Sequence, residues 1–212
     1  MARITLLRAT DYARQRWKNG GGTTTELARN GNADRWLWRL SVADVERSGP
    51  FSDFTGYRRL IVLLDGRGMA LSFDAAAPVV LDERYRPFAF DGGARTHCDL
   101  LDGPIRDMNL IFDATRIDAS LDVCTLAQGA SLRVAASECA LLHAIGGRFD
   151  VTIGDDSAAL SPGDTLQVGE REAIPITATA LDAHAVLAQV AIGYRPCPSC
   201  RSPGVGVDAT RC

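Results

Sequence analysis

Apolar residues recur at every second position through most of this chain, and turn residues cut the alternation into short pieces. Arg35 to Val45 sets Trp36, Trp38, Leu40 and Val42 on one face and Arg35, Leu37, Arg39, Ser41 and Ala43 on the other. A two-residue period rich in Trp and Val marks a strand rather than a helix. Tyr57 to Phe73 reads as a hairpin: an apolar run to Leu64, the turn Asp65-Gly66-Arg67-Gly68, then Met69, Leu71 and Phe73 in alternation. Asp-Gly supplies the positive φ that tight turns require. Asp107 to Phe112 is a further strand, with Asp107, Asn109 and Ile111 facing away from Met108, Leu110 and Phe112. Leu141 to Ile145, the turn Gly146-Gly147 and the alternating Phe149, Val151 and Ile153 repeat the theme, and Thr165 to Val168, Ile174 to Ala180 and Ala185 to Ile192 follow as strands. Helical patterning is limited to one turn within Asp11 to Arg16, and Thr115 to Ser120 reads as a polar connector. Many short strands with Gly, Asp and Pro turns predict an all-β sandwich or barrel.

The turns at Gly66 and Gly146 lie 80 positions apart, and similar segments follow each. Two copies of one β unit account for this spacing. The expected division is residues 1–115, residues 116–194, and a loose tail of residues 195–212. The tail holds Cys197, Cys200 and Cys212. A zinc site wants four ligands and a redox Cys-x-x-Cys belongs at a helix start, so these read as thiols on a tail, with a zinc or redox module as the alternative. Cys98, Cys124 and Cys139 are expected to stay reduced.

A formal net charge of −3, without a basic block, argues against a nucleic-acid partner. No apolar run approaches the length of a membrane span, and the start of the chain lacks a signal-peptide pattern, so a cytoplasmic protein with no membrane partner is expected.

Chemistry concentrates in Trp17-Lys18-Asn19-Gly20-Gly21-Gly22, ahead of the strand that carries Glu26. Consecutive glycines can present N–H groups to an anion, and Lys18, the only lysine, and Asn19 would add a charge and an amide. The alternative is a plain turn before a strand. Arg39 and Ser41, Arg58 and Arg59, and Asp107 and Asn109 are polar groups on strands whose faces are otherwise apolar. They either line a pocket or pair with one another, as Arg39 or Arg58 with Glu26 or Asp107. Phe51 and Phe54 either roof a pocket or plug a barrel end. The histidines, His97, His143 and His184, form no His-x-His or His-x-x-x-His spacing, so no metal or other cofactor is expected.

Taken in order, Trp17-Lys18-Asn19-Gly20-Gly21-Gly22 with Thr24 and Glu26, Trp38 to Ala43, Gly49-Pro50-Phe51-Ser52 with Gly56 and Arg58, Leu63-Leu64-x-Gly66-x-Gly68, Pro87 to Phe90 and Asp107-Met108-Asn109 resemble the HutD/Ves family. The resemblance spans about residues 3 to 194. It implies a bicupin-like fold, two packed RmlC-like jelly-roll barrels in one chain. It also implies a link to histidine utilisation and a role in binding a small metabolite rather than an established enzymatic one. Suggested ligands are urocanate and formyl- or formimino-glutamate, all carboxylates. Many cupins hold a metal through His-x-His with a later Glu and His; Pro162-Gly163-Asp164 is a turn of cupin type, but no such histidine set accompanies it.

The expected site therefore lies in the first barrel. Arg39 and Arg58 take carboxylates, and Gly20, Gly21 and Gly22 donate N–H groups beside Lys18 and Asn19. Glu26, Ser41, Asp107 and Asn109 fix polar ends, and Phe51 forms part of the wall. The alternative is a metal-free isomerase or hydrolase with Glu26 or Asp107 as general base. Exposed sheets in such folds allow a homodimer.

Overall fold

A computed structural model describes residues 3–32, 35–74, 77–135, 137–169 and 174–195; Cys197, Cys200 and Cys212 lie outside these. In chain order come β1 (Arg3–Leu7), a 3-10 turn (Ala9–Asp11), β2 (Arg14–Arg16), β3 (Gly22–Gly31), β4 (Trp36–Val45), β5 (Gly49–Pro50), β6 (Arg58–Asp65) and β7 (Met69–Phe73). Next are β8 (Val79–Leu81), β9 (Pro87–Asp91), β10 (Thr96–Leu100), β11 (Ile105–Phe112), β12 (Ile117–Leu126) and β13 (Ser131–Arg133). The last are β14 (Cys139–Gly146), β15 (Phe149–Ile153), β16 (Asp156–Leu160), β17 (Thr165–Gly169), β18 (Ile176–Ala180) and β19 (Ala185–Tyr194).

These strands form four sheets. A six-stranded sheet runs β2-β3-β4-β11-β6-β9 and a four-stranded sheet runs β5-β10-β7-β8; a five-stranded sheet runs β1-β17-β14-β19-β12 and a second four-stranded sheet runs β13-β18-β15-β16. Three apolar layers hold them together. Ile61, Leu63, Met69, Leu71 and Cys98 fill the first barrel, and Leu142, Phe149, Val151, Leu166 and Leu187 fill the second. Between the barrels, Trp38, Leu40, Met108 and Leu110 of the six-stranded sheet pack on Leu121, Leu141, Val190 and Ile192 of the five-stranded sheet. The central strands β4, β11 and β6 of one large sheet and β14 and β19 of the other are thus covered on both faces, which explains why they are largely apolar, whereas the edge strand β2 is polar and exposed. The pairing of β4 through β11 recurs strand for strand in β12 through β19. The chain has the all-β, two-barrel arrangement that the repeat predicts.

Four local expectations are corrected. First, the Asp65-Gly66-Arg67-Gly68 turn does not close a hairpin: β6 pairs with β11 and β9, whereas β7 pairs with β10 and β8 in the facing sheet. The turn is a corner across the first barrel. A Cβ on Gly66 would lie 2.7 Å from Ile105 Cγ2, at the start of β11. The second barrel turns the same corner, where a Cβ on Gly147 would lie 2.8 Å from Ala185 Cα, at the start of β19. Second, the connector Thr115 to Ser120 runs into β12, whose Ile117, Ala119, Leu121 and Val123 face the central layer. Third, the turn expected within Asp11 to Arg16 is a 3-10 turn at Ala9–Asp11 followed by a strand, Arg14–Arg16. Fourth, Trp36 does not share the face of Trp38. The ladder slips between Asn30↔Trp38 and Gly31↔Trp36, so that Leu37 joins the central layer while Trp36 stacks beside Arg39. One inserted residue reverses side-chain parity beyond it.

The first strand, within the 1–115 segment, crosses to the other half and pairs β17 from Arg3↔Gly169 to Leu7↔Thr165. Asp164 anchors it, accepting from Arg8 Nη1 at 2.7 Å and from the Ala9 amide at 3.0 Å. Thr165 Oγ1 lies 2.7 Å from the Tyr12 hydroxyl and 2.9 Å from His143 Nδ1. Burial pushes the His143 imidazole down to about 4, from 6.5, so it is neutral in the fold at pH 7.

Two outcomes follow for stability. Trp38 is fully buried between the barrels, and Trp38→Ala should cost about 3–5 kcal/mol in urea denaturation. His143 takes up a proton more readily unfolded than folded, so its contribution is present above pH 6.5 and lost as pH falls toward 4. Relative to a His143→Gln variant, the wild type should lose up to about 3 kcal/mol across that window, measured by denaturation at each pH.

Candidate functional site

The inward face of the six-stranded sheet carries a polar row where an apolar one would be normal. β11 is flanked by β4 and β6, and the register sets Ala43↔Asp107↔Leu63, Ser41↔Asn109↔Ile61 and Arg39↔Ile111↔Arg59 side by side. Arg39 and Arg59 are therefore two strands apart on one face, with Asn109 and Asp107 stepping away between them. Above this floor is a cavity of about 490 Å³, in the size range of small-molecule sites. Its walls come from the segment around Trp17, Lys18 and Asn19 and from the loop Pro50 to Phe54.

Aromatic rings hold the two guanidiniums in place. Phe54 stands between them, its ring centre 5.2 Å from Arg39 Cζ and 5.4 Å from Arg59 Cζ. Trp36 flanks Arg39 at 5.5 Å; Phe51 and Phe90 flank Arg59 at 5.0 and 4.8 Å. Such stacking suits a planar cation in a dry place. Arg59 is 5% exposed and Asp107 1%. Arg59 Nη2 donates to Asn109 Oδ1 at 2.7 Å, and Asn109 Nδ2 donates to Asp107 Oδ1. Arg39 Nε, Arg59 Nε and Asp107 Oδ2 are buried with no hydrogen-bond partner among the described residues.

Desolvation sets the electrostatics. Burial pulls Arg59 down to about 10, with Asp107 opposing and Arg39 adding to the fall, and burial lowers Arg39 as well. Burial pushes Asp107 up to about 7, against the pull of Arg59 and the Asn109 hydrogen bond. The cavity's charged lining is Arg16, Lys18, Arg39 and Arg59 against Asp107 alone, with Arg16 also 3.9 Å from Glu46. Arg16 and Lys18 are exposed, so the cations held away from water are Arg59 and, in part, Arg39, and donors buried there without a partner are costly unless an acceptor reaches them.

Of the expected site residues, Lys18, Asn19, Arg39, Ser41, Phe51, Asp107 and Asn109 line this cavity. Glu26 does not; it pairs with Arg29 at 3.2 Å. Gly20, Gly21 and Gly22 do not form the expected N–H cradle. The Gly20 amide donates to the Trp17 carbonyl and the Gly21 amide to Asn19 Oδ1. A Cβ on Gly22 would sit 2.5 Å from the Asp44 carbonyl, and the Trp17 ring packs over it. The glycines make a tight turn that seats Trp17, whose Nε1 donates to Thr24 Oγ1 at 2.8 Å, and carries Lys18 and Asn19 to the cavity wall. Arg58 is also misplaced: it is exposed, beside a separate shallow hollow with Tyr57 and Asp91. Arg59, next to it in the chain, is the arginine of the pair that lines the cavity. The two are adjacent on a strand with both faces covered, so apolar alternation could not tell which one points inward. Trp36, missed because of the bulge, supports Arg39.

The second barrel lacks this constellation. By register, Ala140 stands where Arg59 does, Leu187 where Asp107 does, Gln189 where Asn109 does and Ser120 where Arg39 does.

The HutD family model matches residues 9–187. The chain belongs to the HutD family. Among solved structures, HutD from Pseudomonas fluorescens SBW25 superposes with a TM-score of 0.74 at 33% identity, covering 92% of this chain and all of that one. A conserved protein of unknown function from Pseudomonas aeruginosa PAO1 superposes at 0.83 with 35% identity over 90% of this chain and 99% of that one. An uncharacterised 21.2 kDa protein from the hutC 3′ region of Pseudomonas putida is 46% identical over 57% of this chain. Protein Ves of Citrobacter koseri is 34% identical over 50% of it. The aligned part spans 64% and 56% of those two relatives' own lengths. The oxalate decarboxylase of Lactobacillus farciminis, at 9% identity and a TM-score of 0.66 over 87% of this chain and 85% of that one, shares the cupin fold alone.

A cupin-type metal does not fit the residues of this HutD cavity. None of its lining residues is a histidine, and its guanidiniums repel a cation. His97 and His184 are exposed, and His143 is buried against Thr165 in the other barrel.

Asp107 is ionised at a cost once the pH exceeds its raised value, so its contribution to stability is full below about 4 and lost as pH rises through about 7. Asp107→Asn should therefore stabilise the protein by about 1–3 kcal/mol near pH 8, with the gain fading as pH falls toward 4, as read from denaturant midpoints.

Proposed function

We propose that this HutD protein binds a small carboxylate metabolite in the first barrel and acts as a sensor or modulator of histidine utilisation. The observation that carries this reading is the pair of guanidiniums, buried Arg59 and half-buried Arg39, each with a buried Nε that has no hydrogen-bond partner among the described residues, in a cavity whose described lining includes a single carboxylate. A ligand carboxylate supplies the missing hydrogen-bond acceptors, and guanidinium geometry takes it in paired hydrogen bonds. Aromatic walls from Phe51 and Phe54 suit a flat or compact apolar body, and Ser41, Asn19 and Lys18 suit its polar end. Urocanate and formyl- or formimino-glutamate have this character. On this reading the protein works in the cytoplasm, as a monomer or homodimer, without nucleic acid or membrane.

A second reading rests on Asp107, whose carboxyl is held at about 7 inside the cavity, where a general base works best. Conversion of bound metabolite, followed by NMR over hours and lost in Asp107→Asn, would establish an isomerase or hydrolase. Glu26 is not a candidate for that role, being outside the cavity and paired with Arg29.

Urocanate or N-formylglutamate should raise the melting temperature through mass action. Arg59→Ala should weaken binding about 10- to 100-fold in calorimetry, and Arg58→Ala should leave it unchanged. No shift with either acid at millimolar concentration, or equal effects of the two arginine variants, would overturn the proposal.

A further inference from the structure

Asp107 sits among cations without being paired to one. Its register neighbours, Ala43 and Leu63, are apolar. Arg59 reaches it through Asn109, whose carbonyl oxygen accepts from the guanidinium and whose amide donates to Asp107 Oδ1. Oδ2 is left buried and unpartnered. The charged and titratable groups around it are Arg59 from β6, Arg39 and Asp44 from β4, Cys98 from β10, and Lys18 and Arg16 from the segment that walls the cavity. Asp44 is occupied by Arg14 and Arg106, at 2.9 and 2.7 Å. Cys98 is held neutral, its thiol pushed up to about 12 by burial and by Asp107.

A carboxylate that enters beside Arg59 brings a second negative charge into the same dry space. Two carboxylates sharing a site resist being ionised together and retain a proton between them. We infer that an anionic ligand binds here together with one proton, which is taken from solvent and carried by Asp107. The neutral carboxyl then has an O–H to donate from the oxygen that otherwise has no partner, and Arg59 is left to the ligand. Asn109 is the hinge of this exchange, because its amide bridges the cation and the acid. Burial already holds Asp107 near 7 in the empty site, so the uptake falls in the neutral range. The inference rests on the carboxylate reading above and makes Asp107 a regulator of affinity by pH.

The test is calorimetry of the full chain with N-formylglutamate, which has no titrating group of its own between about pH 5 and 9, in paired buffers of different ionisation enthalpy. Near pH 8 the wild type should take up close to one proton per ligand bound, and near pH 6 little. Its dissociation constant should rise about tenfold per pH unit above 7. Asp107→Asn should bind without proton uptake and with a flat pH profile. Binding by the wild type with no buffer dependence and a flat profile from pH 6 to 9 would overturn the inference and leave the carboxylate reading intact. So would an unchanged pH slope in Asp107→Asn. Absence of binding at every pH would overturn both. The buffer comparison on the wild type decides the matter even if the variant fails to fold.

Discussion

The six-stranded sheet is covered on both faces, and the rest of the molecule is arranged around that constraint. One face meets the other barrel through Trp38, Leu40, Met108 and Leu110; the other closes the first barrel through Ile61, Leu63 and Ile105. Away from the cavity mouth both sides are packed, so a polar side chain buried on the inward face needs a partner inside. Asn109 bonds both Arg59 and Asp107, whereas Arg39, Arg59 and Asp107 each keep a buried atom without a partner among the described residues. Their incomplete pairing is what sets this barrel interior apart from an ordinary apolar core.

The second barrel shows what the same architecture does without that demand. Ala140 and Leu187 occupy the positions of Arg59 and Asp107, and the interior closes as an apolar core around Phe149, Leu142 and Leu166. It also receives β1 from the opposite end of the chain, so the halves are joined by a strand as well as by a shared apolar layer. The polar row of Arg39, Arg59, Asn109 and Asp107 is confined to the first copy of the fold. Oxalate decarboxylase shares the framework at 9% identity, which fits a fold whose demands are on pattern rather than on particular residues.

His143 and Asp107 illustrate two uses of a buried titratable group. Burial favours the neutral form of each, lowering the first and raising the second. His143 is satisfied by Thr165 and secures the first strand's docking region. Asp107 keeps an oxygen without a partner. An unpartnered buried oxygen of that kind lowers stability.

Much of the fold was legible because strand periodicity is local. Alternation placed most strands, and the 80-residue offset of Gly66 and Gly146 exposed the duplication. Alternation reads the corner at Gly66 as a hairpin, because a turn's sequence does not say whether the next strand pairs with the last or crosses to the facing sheet. The motif carrying Lys18 and Asn19, and the strand residues Arg39, Ser41, Asp107 and Asn109, were legible as polar exceptions in apolar surroundings. Arg58 and Arg59 could not be separated, because a strand buried on both faces has no polar side to set its parity. Trp36 was assigned to the wrong face because a single inserted residue in the ladder reverses that parity. The sequence by itself determined the strand content, the repeat and the residue types of the site. The tertiary structure decided which of them face inward, because side-chain direction in a doubly covered sheet is set by register and bulges with distant strands.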